Sequence, residues 1–291
     1  MSMTLLMYPD FAPVSLGFQE EIQKIVSESK SDISALTFAN LYLFRNKYGF
    51  NVSLLNNSLI VAGTDKGKTF FSIIGDVPSK EILNELLKKY DYWKNVSSKQ
   101  ALHCPVALVE DRDNFEYLYL RTDLAELPGK NFQKKRNLVN AFIKTYSLEN
   151  PEKKHIDNET IKDALLVLDE WEKSKEEHSD YASAKEALDL HCELGFTGLV
   201  FYVGGKPVGY CQGETLANGR MFAVHFEKAI ESYKGIYQYI NQEFAKSIPK
   251  DIICINREQD LGHEGLRQAK ITYRPVDFVK LFSSNVSTKE G

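Results

Sequence analysis

Hydrophobic and polar positions alternate with a period of about two in several short stretches of the chain. Two of these stretches flank Asn56–Asn57 and a third covers Thr69–Ile74, which predicts a β-hairpin followed by a returning strand. Three more, Thr197–Val203, Pro207–Thr215 and Arg220–Phe226, are separated by short turns that contain glycine. They predict an antiparallel meander in the second half of the chain.

Apolar residues recur at helical spacing in the segments between these strands. Ser79 is a predicted N-cap for the helix that follows it. The predicted helices cover residues 17–29, 79–87, 129–146, 160–171, 182–194 and 236–248. A strand at Ile252–Ile255, a further helix and a last strand at Pro275–Phe282 complete the second half. The order there is helix–helix–β–β–β–helix–β–helix–β, which predicts an α+β (mixed α/β) fold.

The chain has 291 residues, more than a typical single domain. The polar segment Glu149–Asn158 is the predicted connection, which divides the chain into domains 1–150 and 151–291.

The net charge of −4 means that the protein has no overall positive field that would attract nucleic acid. No apolar run approaches the roughly 18–20 residues that span a bilayer, and four isolated cysteines fit a reduced, cytoplasmic protein.

Three common kinds of site are not supported by the sequence. Ala62–Thr69 formally fits a phosphate loop, but the residues after it predict a strand and not the helix that such a loop requires. His263–Glu264 begins a zinc-binding pattern, but Arg267 stands where the second histidine would be. No G-x-S-x-G motif is present, so an α/β-hydrolase is not indicated. No metal site is therefore predicted.

The segment Cys254–Pro275 follows a predicted strand and changes abruptly from apolar to charged. Ligands of α/β folds lie beyond the carboxyl ends of strands, so the charged groups here are site candidates. These are Arg257, Glu258, Arg267 and Lys270. The alternative is a plain strand–helix junction, with Asp260 as the helix N-cap. Both interpretations predict that the small residues Gly262, Gly265 and Ala269 allow close packing of the helix.

His225 and Glu227 are two residues apart in a predicted strand, so their side chains share a face. A histidine and a carboxylate placed together near a strand end could accept a proton from a nucleophile. The alternative is the polar outer face of a half-buried strand.

Two further segments are candidate anion sites. The residues Lys234–Tyr237, comprising Lys234, Gly235, Ile236 and Tyr237, join a strand to a helix, where backbone amides suit a phosphate. A simple left-handed turn at the glycine is the alternative. Lys135, Arg136 and Asn137 could hold phosphates, although a solvated helix face explains the same basic run.

Three separated motifs carry a resemblance to a known family: LPGKNFQKKRNLVNAF, VHFEKA and INREQDLGHEGLRQAKITYRPV. The chain resembles DUF2156 and is similar to the C-terminal catalytic domain of phosphatidylglycerol lysyltransferases. The element order of residues 197–282 also resembles the GCN5-related N-acetyltransferase fold. The resemblance implies two tandem acetyltransferase-like domains, each with a mostly antiparallel central sheet flanked by helices.

The resemblance also implies a function, because related Fem-type transferases move an aminoacyl group from tRNA to an amine or hydroxyl. We expect an acyl- or aminoacyltransferase with its site between the two domains and with Glu227 or Glu258 as base, assisted by His225. The expected substrate- or donor-binding residues are Lys135, Arg136, Asn137, Arg257, Arg267, Lys270 and Tyr273. Lys234–Tyr237 would hold coenzyme A.

No tightly bound cofactor is expected, and the donor is either acyl-coenzyme A or aminoacyl-tRNA. The acceptor stays open among a lipid, a peptide and a small amine. Two alternatives remain. One is a catalytically silent protein that binds a ligand or an RNA end, and the other is an acetyl-coenzyme A-dependent N-acetyltransferase of small amines.

Overall fold

A computed structural model describes residues 3–175, 180–216 and 219–284. Short, mainly antiparallel strands form three sheets. The strands are β1 Ala12–Pro13, β2 Asn51–Leu55, β3 Ser58–Asp65, β4 Lys68–Ile74, β5 Tyr92–Trp93, β6 Val96–Ser97, β7 Leu108–Glu110, β8 Glu116–Leu120, β9 Glu152–His155, β10 Thr197–Val203, β11 Lys206–Thr215, β12 Met221–Ala229, β13 Cys254–Asn256, β14 Asp277–Val279 and β15 Leu281–Ser284.

The helices pack against these sheets, so the predicted α+β fold is confirmed. They are α1 Gln19–Ser29, α2 Phe38–Leu43, α3 Arg45–Tyr48, α4 Lys80–Lys89, α5 Ser98–Leu102, α6 Arg121–Glu126, α7 Gln133–Thr145, α8 Ile161–Glu172, α9 Tyr181–Asp189, α10 Ile236–Ser247 and α11 Glu264–Ile271. Ser79 caps α4 as predicted, because its hydroxyl accepts a hydrogen bond from the Ile82 amide. None of the helices in these described ranges is long and apolar enough to cross a membrane.

The same arrangement of elements occurs twice in the chain. In the first half β2, β3 and β4 form an antiparallel meander, α4 follows, and β5 pairs in parallel with β4. In the second half β10, β11 and β12 form the meander, α10 follows, and β13 pairs in parallel with β12. The hairpin of β3 and β4 lies where the phosphate-loop pattern occurs, which confirms that the pattern belongs to a hairpin.

The sheets do not divide at residue 150. The five-stranded sheet has the order β1-β2-β3-β4-β5, whereas the seven-stranded sheet has the order β14-β8-β13-β12-β11-β10-β9 and so includes β8 from the first half. The three-stranded sheet places β15, from the end of the chain, between β6 and β7. The predicted boundary therefore cuts through two sheets, because each half contributes a strand to the other.

Three local predictions need correction. Glu149–Asn158 is not only a connection, because β9 within it forms the edge of the seven-stranded sheet beside β10. The predicted last strand is two strands, β14 and β15, which belong to different sheets. Asp260 does not cap a helix, since α11 begins at Glu264 with His263 as its N-cap. The predicted turn at 216–219 lies partly outside the described residues.

Side chains from both halves pack together in one core. α2 lies against α9, and Phe44 stacks on Phe226 of β12 with ring centroids 6.5 Å apart. The guanidinium of Arg45 forms a two-pronged ion pair with Glu186, with N–O distances of 2.9 and 2.8 Å. The two halves are therefore in direct apolar and ionic contact.

Candidate functional site

The site is built where two parallel strands separate. β12 and β13 pair only from Met221 to Ala223 and from Cys254 to Asn256, after which β12 continues and β13 ends. A cavity of about 1150 Å³, here called the cleft, opens at this separation and reaches Phe70 of the five-stranded sheet. Its position beyond the carboxyl end of a strand is where α/β folds bind ligands.

The cleft brings together most of the residues that the sequence indicated. Eight line it: Lys135, His225, Glu227, Tyr237, Arg257, Glu258, Lys270 and Tyr273. Six lie outside its lining: Arg136, Asn137, Lys234, Gly235, Ile236 and Arg267.

Glu258 lies immediately after β13 in an uncommon backbone conformation. Its φ is +56°, and the Asn256 side-chain oxygen holds this turn by accepting a hydrogen bond from the Glu258 amide at 2.8 Å. Glu258 Oε1 accepts hydrogen bonds from His225 Nδ1 at 2.7 Å and from Asn40 Nδ2 at 3.2 Å, and Ser34 Oγ lies 3.4 Å from the same oxygen. A left-handed conformation at a glutamate is strained and persists where surrounding contacts hold it, as at many binding sites.

His225 is held between two carboxylates. Nδ1 contacts Glu258, and Nε2 contacts Glu214 Oε1 at 3.0 Å. Burial alone would lower the pKa of His225, but the hydrogen bonds to Glu214 and Glu258 outweigh it and raise the pKa to about 10. At neutral pH both ring nitrogens therefore donate, so His225 positions Glu258 and has no nitrogen that can accept a proton.

We expect His225→Gln to lower the free energy of unfolding by about 2 kcal/mol at pH 6, because charged hydrogen bonds to two carboxylates are lost. The difference from wild type should be largest below about pH 6.5, the unfolded pKa of histidine, and should shrink as the pH rises toward 10. Urea denaturation of both proteins at several pH values measures it.

His191 provides the matched control for this pH dependence. It is also buried, and Gln212 contacts its Nδ1 at 2.8 Å, but burial lowers its pKa. The stability that His191 contributes is therefore lost as the pH falls. The contribution of His225 is lost as the pH rises, so the two pH dependences have opposite signs. A His225→Gln difference that grew from pH 7 to pH 10 would contradict a protonated His225.

Glu227 is engaged by a cation. Both of its carboxylate oxygens lie 3.0 Å from Arg257 Nη2. The Arg257 guanidinium lies 5.2 Å from the centre of the Tyr273 ring, and Lys135 Nζ lies 3.9 Å from the same ring. Burial raises the pKa of Tyr273 to about 12, so the ring stays neutral between the two cations.

Lys270 fixes the chain that carries the site. Its ammonium donates hydrogen bonds to the carbonyl oxygens of Arg257 and Glu258. Burial, together with the nearby charge of Arg257, lowers the pKa of Lys270 to about 8. Lys270, in the last turn of α11, therefore holds the backbone conformation of Glu258.

Arg267 and Asp260 form an ion pair away from the cleft. Arg267 donates to both oxygens of Asp260, at 2.9 and 2.8 Å, and to Asp113 at 2.7 Å. The fully buried Asp260 also accepts hydrogen bonds from the Tyr117 hydroxyl at 2.5 Å and the Gly262 amide at 2.9 Å. These contacts explain the shape of the turn before α11 without a ligand.

Helix α11 itself lies on the surface. Most of its residues are exposed, Lys270 is half-buried with its ammonium against the chain after β13, and a Cβ at Gly265 would meet no atom within 4 Å. Gly262 has a φ of +78° in the preceding turn. The predicted close packing is therefore absent at Gly265 and at the exposed Ala269, whereas a Cβ at Gly262 would lie 2.9 Å from Asp113 Oδ2, so Gly262 serves both the turn and this close approach.

Arg136 and Asn137 point away from the cleft. Arg136 Nη1 donates to the carbonyl oxygens of Leu127 and Gly129, which fixes the chain between α6 and α7. Asn137 is exposed on the outer side of α7. A role of these two residues in binding the donor would require the donor to extend beyond the cleft.

The predicted coenzyme A loop packs against a helix. Gly235 is the N-cap of α10 with a φ of +90°, and a Cβ there would lie 2.8 Å from the carbonyl oxygen of Leu138 in α7. Ile236 is buried in the core and Lys234 is exposed. The close approach of α7 accounts for the glycine without a ligand.

We expect Gly235→Ala to lower the free energy of unfolding by about 2 kcal/mol, because it combines left-handed strain with a clash against α7. Gly205→Ala is the control, since Gly205 has a φ of +74° but no atom within 4 Å of its Cβ position. It should lose only about 1 kcal/mol from strain. Thermal unfolding compares them, and equal losses would exclude the contact with α7 as the reason for glycine.

Four residues of the site were not indicated by the sequence: Ser34, Asn40, Glu116 and Glu214. Glu116 is fully buried at the start of β8 and accepts from the Ser34 amide, the Ser34 hydroxyl, the Ala35 amide and Asn256 Nδ2. A charged residue that opens an otherwise apolar strand, as in Glu116–Leu120, was the one available signal. Ser34 and Asn40 lie in ordinary helix-cap sequences that carry none.

Among the residues with described positions, no three His, Cys, Asp or Glu side chains are grouped so that they could hold a metal ion. The four cysteines are free thiols. The chemistry that the cleft offers comes from carboxylates, one imidazolium and several cations.

Comparisons with known proteins find the same fold in solved structures. A conserved protein of unknown function from Bacteroides thetaiotaomicron is 31% identical, with a TM-score of 0.85 over 97% of this chain and 100% of that one. The structure of L-PGS from Bacillus licheniformis gives a TM-score of 0.65 at 14% identity, over 99% of this chain and 96% of that one. The second likeness concerns the fold alone.

Sequence comparison gives the family. An uncharacterized protein of Mycoplasmoides gallisepticum is 25% identical over 169 residues, 57% of this chain and 54% of that protein, so the chain spans about half the length of this curated relative. Residues 27–284 match the family model described as phosphatidylglycerol lysyltransferase, C-terminal. The resemblance seen in the three sequence motifs is thereby confirmed, and the chain belongs to the phosphatidylglycerol lysyltransferase C-terminal family.

Proposed function

We propose that this protein is an aminoacyltransferase that moves an aminoacyl group from aminoacyl-tRNA to an amine or hydroxyl acceptor in the cleft. The observation that carries the proposal is the Glu258 carboxylate, which lies at the opening between β12 and β13 and has His225 Nδ1, Asn40 Nδ2 and Ser34 Oγ within hydrogen-bond distance of one oxygen, Oε1. The family name describes aminoacyl transfer by relatives, which supports the same reaction class here.

The charge of the cleft supports a polyanionic donor. Seven cationic side chains line it against three carboxylates, those of Asp180, Glu227 and Glu258. The cations are Lys47, Lys94, Lys135, Lys175, Lys228, Arg257 and Lys270. Positive charge collected in a concave, partly dry site attracts phosphate groups and raises the rate of their association.

The proposed reaction needs one base and no enzyme-bound intermediate. Glu258 takes the proton of the acceptor amine or hydroxyl as that atom attacks the ester carbonyl carbon of the donor. The new bond to the acceptor forms, the bond from the carbonyl carbon to the ribose oxygen breaks, and the proton passes to that oxygen. Arg257 and Lys135 supply positive charge for the oxyanion that develops.

Two observations weigh on the alternatives. The packing of Gly235 against α7 makes the start of α10 a poor site for the phosphates of coenzyme A, which favours tRNA as donor. The ion pairing of Glu227 with Arg257 and of Glu258 with His225 favours a second candidate, a silent binding protein on the same fold.

The test is a transfer assay with radiolabelled donors. Purified protein is given a panel of aminoacyl-tRNAs or acyl-coenzyme A compounds, with phosphatidylglycerol vesicles, peptides or small amines as acceptors. Label should reach an acceptor from aminoacyl-tRNA and not from acyl-coenzyme A. Transfer from acyl-coenzyme A alone would contradict the proposal, and tight binding of tRNA with no product would support the silent binding protein.

A further inference from the structure

A buried hydroxyl lies between two carboxylates at the back of the cleft. Ser34 Oγ is 2.8 Å from Glu116 Oε1 and 3.4 Å from Glu258 Oε1, and both Ser34 and Glu116 are fully buried. A serine hydroxyl has one hydrogen, so it can donate to only one of these oxygens at a time. When both carboxylates are ionised, only one of the two Ser34–carboxylate contacts can be a hydrogen bond, and the other places two oxygen atoms together without a hydrogen between them.

One added proton completes both contacts. If Glu116 carries it, Glu116 donates to Ser34 Oγ and the serine donates to Glu258. If Glu258 carries it, Glu258 donates to Ser34 Oγ and the serine donates to Glu116. The two states differ only by the movement of hydrogens along a chain of three groups, which is the geometry of a proton relay.

Glu116 is suited to the far end of this chain. Its remaining partners are N–H donors, at 3.0 Å from the Ser34 amide, 3.2 Å from the Ala35 amide and 2.5 Å from Asn256 Nδ2. Burial raises the pKa of Glu116 to about 7, although these hydrogen bonds lower it in part. A carboxyl group with such a pKa exchanges a proton at neutral pH.

The charged surroundings are the same groups that form the site. Glu258 is the carboxylate that faces Glu116 across Ser34 and raises its pKa. His225 contacts both Glu258 and Glu214. The ammonium of Lys270 donates a hydrogen bond to the main-chain carbonyl oxygen of Glu258. The positive charges of His225 and Lys270 therefore lie close to Glu258, and Glu214 lies at the other ring nitrogen of His225.

We propose that Ser34 relays a proton between Glu258 and Glu116 during transfer; this inference rests on the proposed function. Glu258 takes the proton from the acceptor, and rotation of its carboxyl group presents that proton to Ser34 Oγ. The serine hydrogen passes to Glu116, which leaves Glu258 ionised. As the ester bond breaks, the proton returns by the same path to the ribose oxygen, so none is gained or lost.

In this scheme Glu116 is a positioning residue, because it acts through Ser34 and Glu258 and does not touch the substrate. The scheme explains why a buried strand residue is a glutamate and why the turn Ser34–Leu36 of the first half lies against the end of β13. The relay thus joins both halves of the molecule in one site.

The first test uses the protein without substrate. Infrared difference spectra across pH 5–9 should show a carboxylic acid band that titrates near pH 7. The band should be lost in Glu116→Gln and should titrate at a different pH in Ser34→Ala, which keeps all three N–H donors to Glu116. Ser34→Thr keeps the hydroxyl and should restore the wild-type titration. Absence of this band from the wild type overturns the relay.

The second test counts the protons that move during transfer. Single-turnover rates in mixtures of H2O and D2O should give a curved dependence on deuterium fraction for the wild type and Ser34→Thr, and a linear one for Ser34→Ala. Ser34→Ala should also be about 10-fold slower, a part of the roughly 10²–10⁴-fold that proton transfer contributes. An unchanged rate and curvature in Ser34→Ala overturns the relay.

The two tests separate this inference from the proposed function. A wild-type protein that shows the titrating band but transfers nothing from any donor overturns the proposed function, and with it the relay as a step of catalysis. A wild-type protein that transfers aminoacyl groups but lacks the band overturns the relay alone.

Discussion

Replacing Glu258 by glutamine is expected to lower the single-turnover rate of transfer by about 10²–10⁴-fold, the usual contribution of a general base. Glutamine keeps the size of the side chain and one oxygen that can accept the hydrogen bonds of His225 and Asn40. It cannot take a proton at neutral pH. The loss should therefore fall on the chemical step and leave donor binding within a few-fold of wild type.

Glu227→Gln is the matched control for this substitution. Glu227 also lines the cleft, but Arg257 contacts both of its oxygens, so it is poorly placed to accept a proton. Its replacement should weaken donor binding, through a misplaced Arg257, more than it lowers the rate. If Glu227→Gln stopped transfer while Glu258→Gln did not, the base would be Glu227 and the proposed roles would be reversed.

Replacing Asp260 by asparagine is expected to lower the free energy of unfolding by about 3 kcal/mol, the usual result of leaving one partner of a buried ion pair without the other. Asp260 is fully buried and accepts from Arg267, Arg112, Tyr117 and the Gly262 amide. Denaturant unfolding at pH 7 measures the loss. A loss below about 1 kcal/mol would contradict it.

The same substitution should change the pH dependence of stability. Burial alone would raise the pKa of Asp260, but the hydrogen bonds from Arg267 and Tyr117 hold it well below its usual range. The group therefore contributes stability above about pH 4, the unfolded pKa, and this contribution is lost as the pH falls. The difference between wild type and Asp260→Asn should shrink below pH 4.

Asp113→Asn is the control for a surface contact with the same arginine. Its side chain is 60% exposed and lies 2.7 Å from Arg267. Exposed ion pairs contribute roughly 0–1 kcal/mol, so this variant should unfold nearly as the wild type does. A loss equal to that of Asp260→Asn would mean that Arg267, and not the burial of Asp260, sets the effect.

Local patterns predicted the elements that position the site. Alternation in Arg220–Phe226 placed His225 and Glu227 on one face of a strand, and the change of character after Ile255 placed Arg257 and Glu258 at a strand end. These predictions rest on the two-residue alternation of side chains in a strand and on the positions of strand ends. Both are determined by residues that are neighbours in the sequence. The same reasoning failed for Asp260, because an aspartate before a helix serves equally as N-cap or as partner of a later arginine.

Contacts between distant parts of the chain could not be predicted in this way. Ser34 and Glu116 are 82 residues apart, and Glu116 and Asn256 are 140 residues apart. Their meeting depends on β8 lying beside β13, a pairing that no local pattern of residues encodes. The sharing of β8 and β15 between the halves was not predicted for the same reason, since a polar segment indicates an exposed chain but not which sheet the next strand joins.

The exchange of β8 and β15 ties the two halves of the chain together. β8 is hydrogen-bonded to β13 and β14, and β15 to β6 and β7, so the two halves of the chain are joined by main-chain ladders as well as by side chains. A hinge at residue 150 would have to break these ladders. We therefore expect the two halves to move as one unit, so that the opening for the donor exists before the donor arrives.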